Sequence, residues 1–573
     1  MKNIYRDHYS GLLRESDIGS KVLLSGFIEN IRDHGGILFL DLRDEYGTLQ
    51  LVTEDDTLFS GLTKESTIRV TGIVRKRKEE DYNDRIETGT IEVLVETLDV
   101  LSKATTLPFE IMTSHTIDES IRLKYRYLDL RNKKVHDSML FRSKFISFLR
   151  EEMTSLGHVE IQTPILTASS PEGARDFIVP SRKFKGKFYA LPQAPQIFKQ
   201  LLMCSGFDRY FQIAPCFRDE DARSDRCYGE FYQLDFERAF VEEEDILELG
   251  EKVFYDVFTK FSDKKIDKPF IRLSYKESME KYGTDKPDLR VPFIIQDLTD
   301  IFIETTFKPF RSVKIKGIKV PGIGDKSNSW FNEIVDYATS IGMPGIGYIT
   351  LLEDGTFKGP IDKFLSIEER DMLIERCDMK EGDVLFFIAS RSKARELASL
   401  IRVKLGEKLG LIDKNEFKFC IIKDFPMYEY DEENEKYKFC HNPFSLPKDL
   451  SLDMEDIEAY QYDFVCNGIE MASGAVRNHS LEIMKEVFAK IDYTEDVIKD
   501  KFGSLYEAFK YGAPPHAGMA IGIDRMIMLL LETESIRDTI CFPLASSGYD
   551  PLMGSPSELT EKQLREVHIK VRD

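Results

Sequence analysis

Between Lys21 and Leu101 the chain passes through five short runs rich in β-branched and aromatic residues: KVLLSGFIENIR, GILFLDLRD, GTLQLVT, TIRVTGIVRKR and GTIEVLVETLDVL. Gly, Asp and Asn separate them, so each run reads as a strand ended by a turn. Five strands in about a hundred residues predict a small closed barrel, and the OB fold is the five-stranded form of one. Arg75-Lys76-Arg77-Lys78 falls inside this segment, with Arg32, Phe39 and Gln50 on neighbouring strands. By itself such a basic run is a solvated hairpin. Basic and aromatic residues interleaved on a barrel face are also how single-stranded nucleic acid is held, by phosphate pairing and base stacking.

At 573 residues the chain exceeds what one core organises, and about two to four domains are expected. Its content, 42% hydrophobic and 31% charged, is that of a folded globular protein. With 79 basic against 100 acidic residues the net charge is -21, which on average disfavours nucleic acid or anionic membrane as a partner. That average says nothing about where basic residues cluster. Met1 to Ser20 lacks the apolar stretch of a secretory signal, and no later run approaches the ~20 apolar residues that cross a bilayer. The eight cysteines (204, 216, 227, 377, 420, 440, 466 and 541) are scattered without CxxC spacing, as small buried hydrophobes would be. The expectation is a cytoplasmic, reduced chain without structural zinc.

After Pro108 the periodicity turns helical over 138–156, and FYALP, YFQIAPCFRDED and FYQLDFERAF then read as antiparallel strands. From Pro287 to Gly406 the chain is punctuated by Gly and Pro and carries few chemically distinctive residues, as an inserted domain would. Strand and helix patterns resume with FKFCIIKDFPMYEY and close with AYQYDFVCNGIEMASGAVR and the Gly-led helix of IGIDRMIMLLL.

No GxxxxGK[ST] and no strand-GxGxxG-helix unit occurs, which excludes a P-loop or Rossmann nucleotide site. Other groupings must carry the chemistry. Arg218-Asp219-Glu220-Asp221 leaves an apolar strand, where an arginine is placed to clamp a phosphate bidentately. Gly522-Ile523-Asp524-Arg525 opens an apolar helix, and the glycine lets a ligand approach the backbone. Asp463, Glu470 and Arg477 recur at intervals of seven, and two carboxylates flanking a turn suit Mg2+ as readily as salt bridges. The loop Ser170 to Asp176, followed by QAPQIFKQ at 193–200, adds a fourth.

Taken together with RLKYRYLDLR at 122–131, SPEGARDF, LPQAPQIFKQLLM, FRDED, HNPFS at 441–445, YDFVCNGIE and IGIDR, these stretches resemble the bacterial-type aspartyl-tRNA synthetases of class II, nearly end to end. The resemblance implies an α+β multidomain chain. Its parts are an OB-fold anticodon domain at 1–107, a hinge at 108–130, and a catalytic domain at 131–286 and 407–573 built on an antiparallel sheet with flanking helices. An inserted α+β domain occupies 287–406. It implies aspartylation of tRNA(Asp) through an aspartyl-adenylate, with ATP and Mg2+, by a homodimer whose motif 1 surrounds Pro164.

By the same resemblance, Arg218, Glu470 and Arg525 are catalytic. Asp219, Glu220, Phe231, Gly522, Ile523 and Asp524 join them around ATP, Phe231 stacking on adenine and Arg525 meeting the γ-phosphate. Asp463 and Glu470 hold Mg2+. Arg477 and Lys199, the latter oriented by Asp235, take the aspartate side chain, and a guanidinium fork there favours a carboxylate over an amide. Glu172 and Gln196 hold the substrate amino end, and His441 contacts substrate. Arg32, Phe39, Gln50 and Glu92 read the anticodon. The positions that separate enzymes restricted to tRNA(Asp) from those that also charge tRNA(Asn) are His34 and Glu80, and the histidine favours the relaxed type. The sequence departs from the family at Ala194, often serine, at Asn442, and in a 225–231 loop one residue longer. A non-catalytic paralogue would lack some of Arg218, Glu470, Arg477 and Arg525, all present here, and an asparagine-making relative would need no anticodon barrel.

Overall fold

The computed structural model describes residues 3–33, 37–55, 57–169, 174–432 and 434–572. It divides into two compact units, Met1–Ile117 and Asp118–Asp573. The first is a closed barrel of β1 (Lys21–Asp33), β2 (Leu38–Arg43), β3 (Thr48–Thr53), β4 (Thr67–Lys76) and β5 (Ile91–Ser102), in the order β1-β2-β3-β5-β4. Closure depends on the length of β1: Lys21 to Phe27 pair with β4, and Phe27 to Asp33 pair with β2 across a bulge. One strand thereby satisfies both edges. Alternate residues, among them Val22, Leu24, Ile68, Val70 and Val74, point inward to the core with Leu40, Leu42, Leu49 and Leu51. Gly72 stands where β4 and β5 shift register, and a Cβ there would lie 2.4 Å from the Leu94 carbonyl oxygen. The basic run at the end of β4 differs from expectation. Strand alternation exposes Lys76 and Lys78 but turns Arg75 onto Glu92 (2.7 Å) and buries Arg77, so it is not a continuous basic patch.

The second unit contains β6 (Val159–Glu160), β7 (Arg209–Arg218), β8 (Gly229–Ala239), β9 (Ile271–Ser274), β10 (Ile295–Asp297), β11 (Lys314–Val320), β12 (Gly347–Leu351), β13 (Phe357–Lys358), β14 (Val384–Ser390), β15 (Phe419–Pro426), β16 (Glu458–Cys466), β17 (Ile469–Val476) and β18 (His516–Gly522). The helices that matter below are α1 (Lys133–Ser155), α2 (Gln196–Cys204), α3 (Glu243–Phe261), α4 (Asn328–Ser340), α5 (Ala394–Lys408) and α6 (Ile523–Leu531). The main sheet runs β9-β15-β16-β17-β18-β8-β7-β6. It is mixed rather than wholly antiparallel. The inner pairs are antiparallel, but β6 lies parallel to β7 and β9 parallel to β15. Each edge pair is joined by a long excursion, through α2 in one case and through 275–418 in the other, and such a crossover delivers a parallel neighbour where a hairpin cannot.

Helices α1 and α3 cover one face of this sheet, burying Phe145, Leu149, Phe254 and Phe258 against Phe211, Phe236, Phe464 and Met519. The Phe254 ring lies 5.4 Å from both Phe419 and Phe464, within the range of aromatic pairing. The second sheet, β10-β11-β14-β12-β13, is antiparallel throughout. Its centre, β14, reads VLFFIAS because both faces are covered: Phe386 and Ile388 pack with α4 and α5, while Leu385 and Phe387 enter a separate core. Of the cysteines, all are free; 216, 227, 377, 420 and 466 are buried as expected, whereas 204, 440 and 541 are only half-buried. Among the described residues no helix is long and apolar enough to cross a membrane.

His158, just before β6, is 3% exposed. Its Nε2 accepts from Arg238 Nε at 3.1 Å and its ring meets Phe236 edge-on, so burial and the adjacent guanidinium push its pKa down to about 3. The folded state therefore binds a proton there more weakly than the unfolded chain. The stabilisation is complete above about pH 6.5 and is lost as pH falls from there toward 3. Denaturant unfolding at pH 7.5 and pH 5.5 should show wild type losing about 1.4 kcal/mol more than His158→Gln, which retains an acceptor for Arg238. Equal losses would place the proton uptake elsewhere.

Candidate active site

On the main sheet β7, β8, β17 and β18, with the start of α2 and the 441–443 loop, enclose a cleft of about 320 Å³. Its floor holds a group of four buried charges. Asp235 and Glu237 project from the same face of β8, Lys199 comes from α2, and Arg477 follows β17; all are at most 2% exposed. Lys199 Nζ lies 2.8 Å from Asp235 Oδ1 and 3.2 Å from Glu237 Oε2. Arg477 Nε donates to Glu237 Oε1 at 2.9 Å, and its Nη2 reaches Glu237 Oε2 and the Gly518 carbonyl. Among the described residues this leaves Arg477 Nη1 with no hydrogen bond inside the protein. Burial raises the pKa of both acids; for Glu237 the charges of Arg477 and Lys199 prevail and hold it below the ordinary range, while Asp235 stays above. Sequence reading found Lys199, Asp235 and Arg477 but missed Glu237. The available signal was the Asp-x-Glu alternation that puts both acids on one strand face.

Arg218 ends β7 and lines the cleft beside Phe231 of β8, its guanidinium carbon 5.1 Å from the ring centre. Its Nε is buried without a partner. Across the cleft β18 runs straight into α6 at Gly522, and this junction sets Arg525 against the Asp225 carbonyl (3.2 Å) and the Glu470 carbonyl (2.7 Å). Gln196, Glu220, His441 and Gly522 also border the cleft, with Gln196 Nε2 buried and unpartnered and Glu220 bound to Arg226 at 2.6 Å. Three residues matched to ligand contacts do not line it. Asp219 is turned away to accept from Tyr228 (2.9 Å), and Ile523 is fully buried in the core of α6. Asp463 is 3% exposed, behind Glu470. Asp524 borders the cleft but is held by Arg142 of α1 and by the Tyr232 amide, an acid bonded at a helix amino end. Glu172 lies outside the described residues.

Asp463 and Glu470 sit on the β16–β17 hairpin, which turns through Asn467 and Gly468, both at positive φ. Glu470 pairs with Val465 across the hairpin, two residues along β16 from Asp463, and a bulge opposite Phe464 and Val465 shifts the register beyond it. Asp463 Oδ1 is buried without a partner, and burial together with the neighbouring Glu470 raises its pKa well above the carboxylate range. Burial also opposes ionisation of Glu470, but Lys286 and Arg525 outweigh it and hold its carboxyl low.

On the barrel, three of the four implied anticodon residues, Arg32, Gln50 and Glu92, belong to one hydrogen-bonded chain with a member from every strand. Arg32 (β1) donates to Asp41 (β2, 2.7 Å) and Gln50 (β3, 3.3 Å); Gln50 donates to Glu92 (β5, 2.8 Å), which accepts from Arg75 (β4, 2.7 Å). Phe39 faces Arg32 in register. Asp41, unnoticed in the sequence, brings β2 into the chain through Arg32 and stands opposite Gln50 in register. Glu80 is exposed beside Lys78 (3.8 Å), and His34 lies outside the described residues.

Comparison with known proteins bears on this arrangement. Residues 118–546 match the family model for class II tRNA synthetases (D, K and N), and residues 22–101 match that for an OB-fold nucleic acid binding domain. The aspartate–tRNA(Asp/Asn) ligase of Ehrlichia chaffeensis is 50% identical over 585 residues, 99% of this chain and 99% of its own. The protein of that name from Rickettsia bellii (strain OSU 85-389) is 50% identical over 99% of this chain and 97% of its own. Among solved structures, the aspartyl-tRNA synthetase of Entamoeba histolytica has a TM-score of 0.57 at 20% identity, covering 92% of this chain and 89% of that one. The asparaginyl-tRNA synthetase of Pyrococcus horikoshii with asparaginyl-adenylate gives 0.57 at 19%, covering 94% and 97%.

Removing one member of the buried charge group should unbalance the rest. Lys199→Met leaves Arg477 as the one cation paired with Glu237 among the described residues and none paired with Asp235, and should cost about 3–5 kcal/mol in equilibrium unfolding. Adding Asp235→Asn should recover part of that loss. A loss below about 1 kcal/mol would mean the group is not electrostatically coupled.

Proposed function

The chain belongs to the class II tRNA synthetases (D, K and N), and from that premise we propose which side chains of the cleft carry its reaction. The enzyme ligates L-aspartate to the 3′ end of tRNA(Asp) through an aspartyl-adenylate, converting ATP to AMP and pyrophosphate. Adenylate formation needs a carboxylate to approach the α-phosphorus in line while charge grows on the phosphoryl oxygens, so cations fixed in advance matter more than covalent work by the protein. Arg218, with its unpartnered Nε, is assigned to the α-phosphate and the attacking carboxylate. Phe231 offers adenine a ring face, and Arg525, at the start of α6, is assigned to the γ-phosphate.

Enzymes of this family use ATP with a divalent metal ion, and Asp463 and Glu470 fit one. Mg2+ keeps several waters and takes one or two carboxylates plus phosphate oxygens, and the orphaned Asp463 Oδ1 beside Glu470 is such a partial donor set. Bound there, the ion would neutralise charge on the phosphate oxygens. Among the described residues no group of three or more His, Cys, Asp and Glu could hold a metal by itself.

The observation that carries the amino-acid assignment is Arg477, clamped on two nitrogens by Glu237 and the Gly518 carbonyl with Nη1 uncommitted, next to the Lys199 ammonium. A side-chain carboxylate completes both cations, whereas the asparagine amide would turn NH2 groups toward donors and leave buried hydrogen bonds unmade. Gln196 and His441 are assigned to the remainder of the substrate. The barrel chain of Arg32, Gln50 and Glu92, with Phe39, is assigned to the anticodon, whose bases stack and pair at a single-stranded loop. We further assign charging of both tRNA(Asp) and tRNA(Asn), in a cytoplasmic homodimer. Support for the dimer is the segment around Pro164, where Ile165 and Leu166 are 46% and 54% exposed.

Aspartate- and Mg2+-dependent exchange of pyrophosphate into ATP should be present in wild type. Arg477→Lys should reduce kcat/KM for aspartate by at least about 100-fold, since an ammonium cannot repeat the fork. Incubated side by side, transcripts of tRNA(Asp) and tRNA(Asn) should both accept aspartate. An uncharged tRNA(Asn) at high enzyme concentration would restrict the enzyme to tRNA(Asp), and absence of exchange in folded protein would overturn the assignment of the cleft.

A further inference from the structure

Lys286 takes no part in the chemistry above, yet it is the cation bonded to the acidic pair. Its Nζ lies 2.8 Å from Glu470 Oε2 and 3.9 Å from Asp285 Oδ2. The far side of Glu470 is met by Arg525 Nη1 at 3.6 Å, and Asp463 Oδ1 behind it has no partner. The ammonium is delivered by a fixed backbone. The Lys286 amide donates to Thr284 Oγ1 (3.1 Å), and the Thr284 carbonyl accepts from Ser278 (2.7 Å). On the other side the fully buried Arg402 of α5 donates to the carbonyls of Asp288 (3.0 Å), Phe293 (2.5 Å) and Val291, closing the base of the segment on which Lys286 stands. A long, strongly hydrated side chain held at its root and 40% exposed along its length can swing away from a carboxylate without disturbing the fold.

We propose that Lys286 is a positioning residue that serves as a displaceable counter-cation, neutralising Glu470 beside the buried Asp463 while no metal is bound and yielding Glu470 Oε2 to a divalent ion when one arrives. This rests on the assignment of the metal to that pair. A half-buried Glu470 carboxylate beside Asp463 needs a cation nearby, and the Lys286 ammonium occupies the same Glu470 Oε2 that an ion bound there would use. Lys286 then competes with the metal, and weak binding of the free ion follows: the metal is taken up together with ATP, whose phosphates supply the missing oxygens.

The test measures Mn2+ binding to the full chain by electron paramagnetic resonance, without ATP or aspartate. Lys286→Met should bind Mn2+ about tenfold more tightly than wild type, and Lys286→Arg should stay within about threefold of it. Glu470→Gln should lose the site, which checks the metal assignment separately. Unchanged or weaker binding by Lys286→Met, with Glu470→Gln defective, overturns the competition. Equal binding by Glu470→Gln and wild type overturns the assignment beneath it. Should the methionine variant not fold, wild type supplies the second measurement: acetylation of Lys286, followed by mass spectrometry, should rise several-fold when Mn2+ alone is added, and unchanged labelling overturns the proposal.

Discussion

Four ionisable groups removed from water in the middle of a sheet must neutralise one another, and the cleft is arranged around that requirement. Lys199, Asp235, Glu237 and Arg477 come from α2, β8 and the end of β17, so no one element could shift without exposing an unpaired charge to a low-dielectric interior. The packing of α2 and the register of β8 are constrained by the same bonds that fix the substrate pocket. The pocket is also preorganised: Glu237 spends two contacts on Arg477 before any substrate arrives, so the guanidinium loses little freedom on binding.

The phosphate side of the cleft is organised differently. Arg218 and Arg525 sit where a strand ends and where a helix begins, each rooted in regular structure but with a guanidinium at its margin. Arg218 lies over an aromatic ring, and Arg525 holds two backbone carbonyls and the partly exposed carboxylates of Asp225 and Glu470 at 3.4 and 3.6 Å. Exchanging such contacts for phosphate oxygens costs less than breaking a buried ion pair. One half of the site is thus committed by buried charge and the other is left available, which suits a pocket that must discriminate aspartate yet bind and release a nucleotide.

Much of this was legible in residue order because it is periodic. The five barrel strands, β7, β8 and the Gly-led α6 follow from alternation and turn residues, and the implied ligands of the cleft lie on runs long enough to be distinctive. What escaped depends on contacts distant in sequence. Glu237 is an ordinary strand glutamate until Arg477 is brought against it, and Asp524 borders the nucleotide region but is tied to Arg142, far away on α1. The Arg75 to Lys78 run reads as one basic patch in a line of text, and the pleat divides it between two faces. The parallel edges of the main sheet were equally invisible, since strand direction is fixed by the connection and not by the strand.

One of those edges sets the least that its connection must do. Ser274 at the end of β9 and Phe419 at the start of β15 lie at opposite ends of two adjacent parallel strands, a gap that a single helical crossover of a dozen residues would ordinarily bridge. The intervening stretch performs that minimal task while carrying a sheet with two cores of its own. It is a long connection that carries its own sheet, and the strand order of the main sheet does not require its bulk. The two ends of this stretch are tied to each other, because Arg402 near its far end grips the carbonyls of 288–293 near its beginning. A chain trimmed back to a plain crossover would lose both that strut and Lys286 itself, so the stretch cannot be shortened without changing how Glu470 is charged.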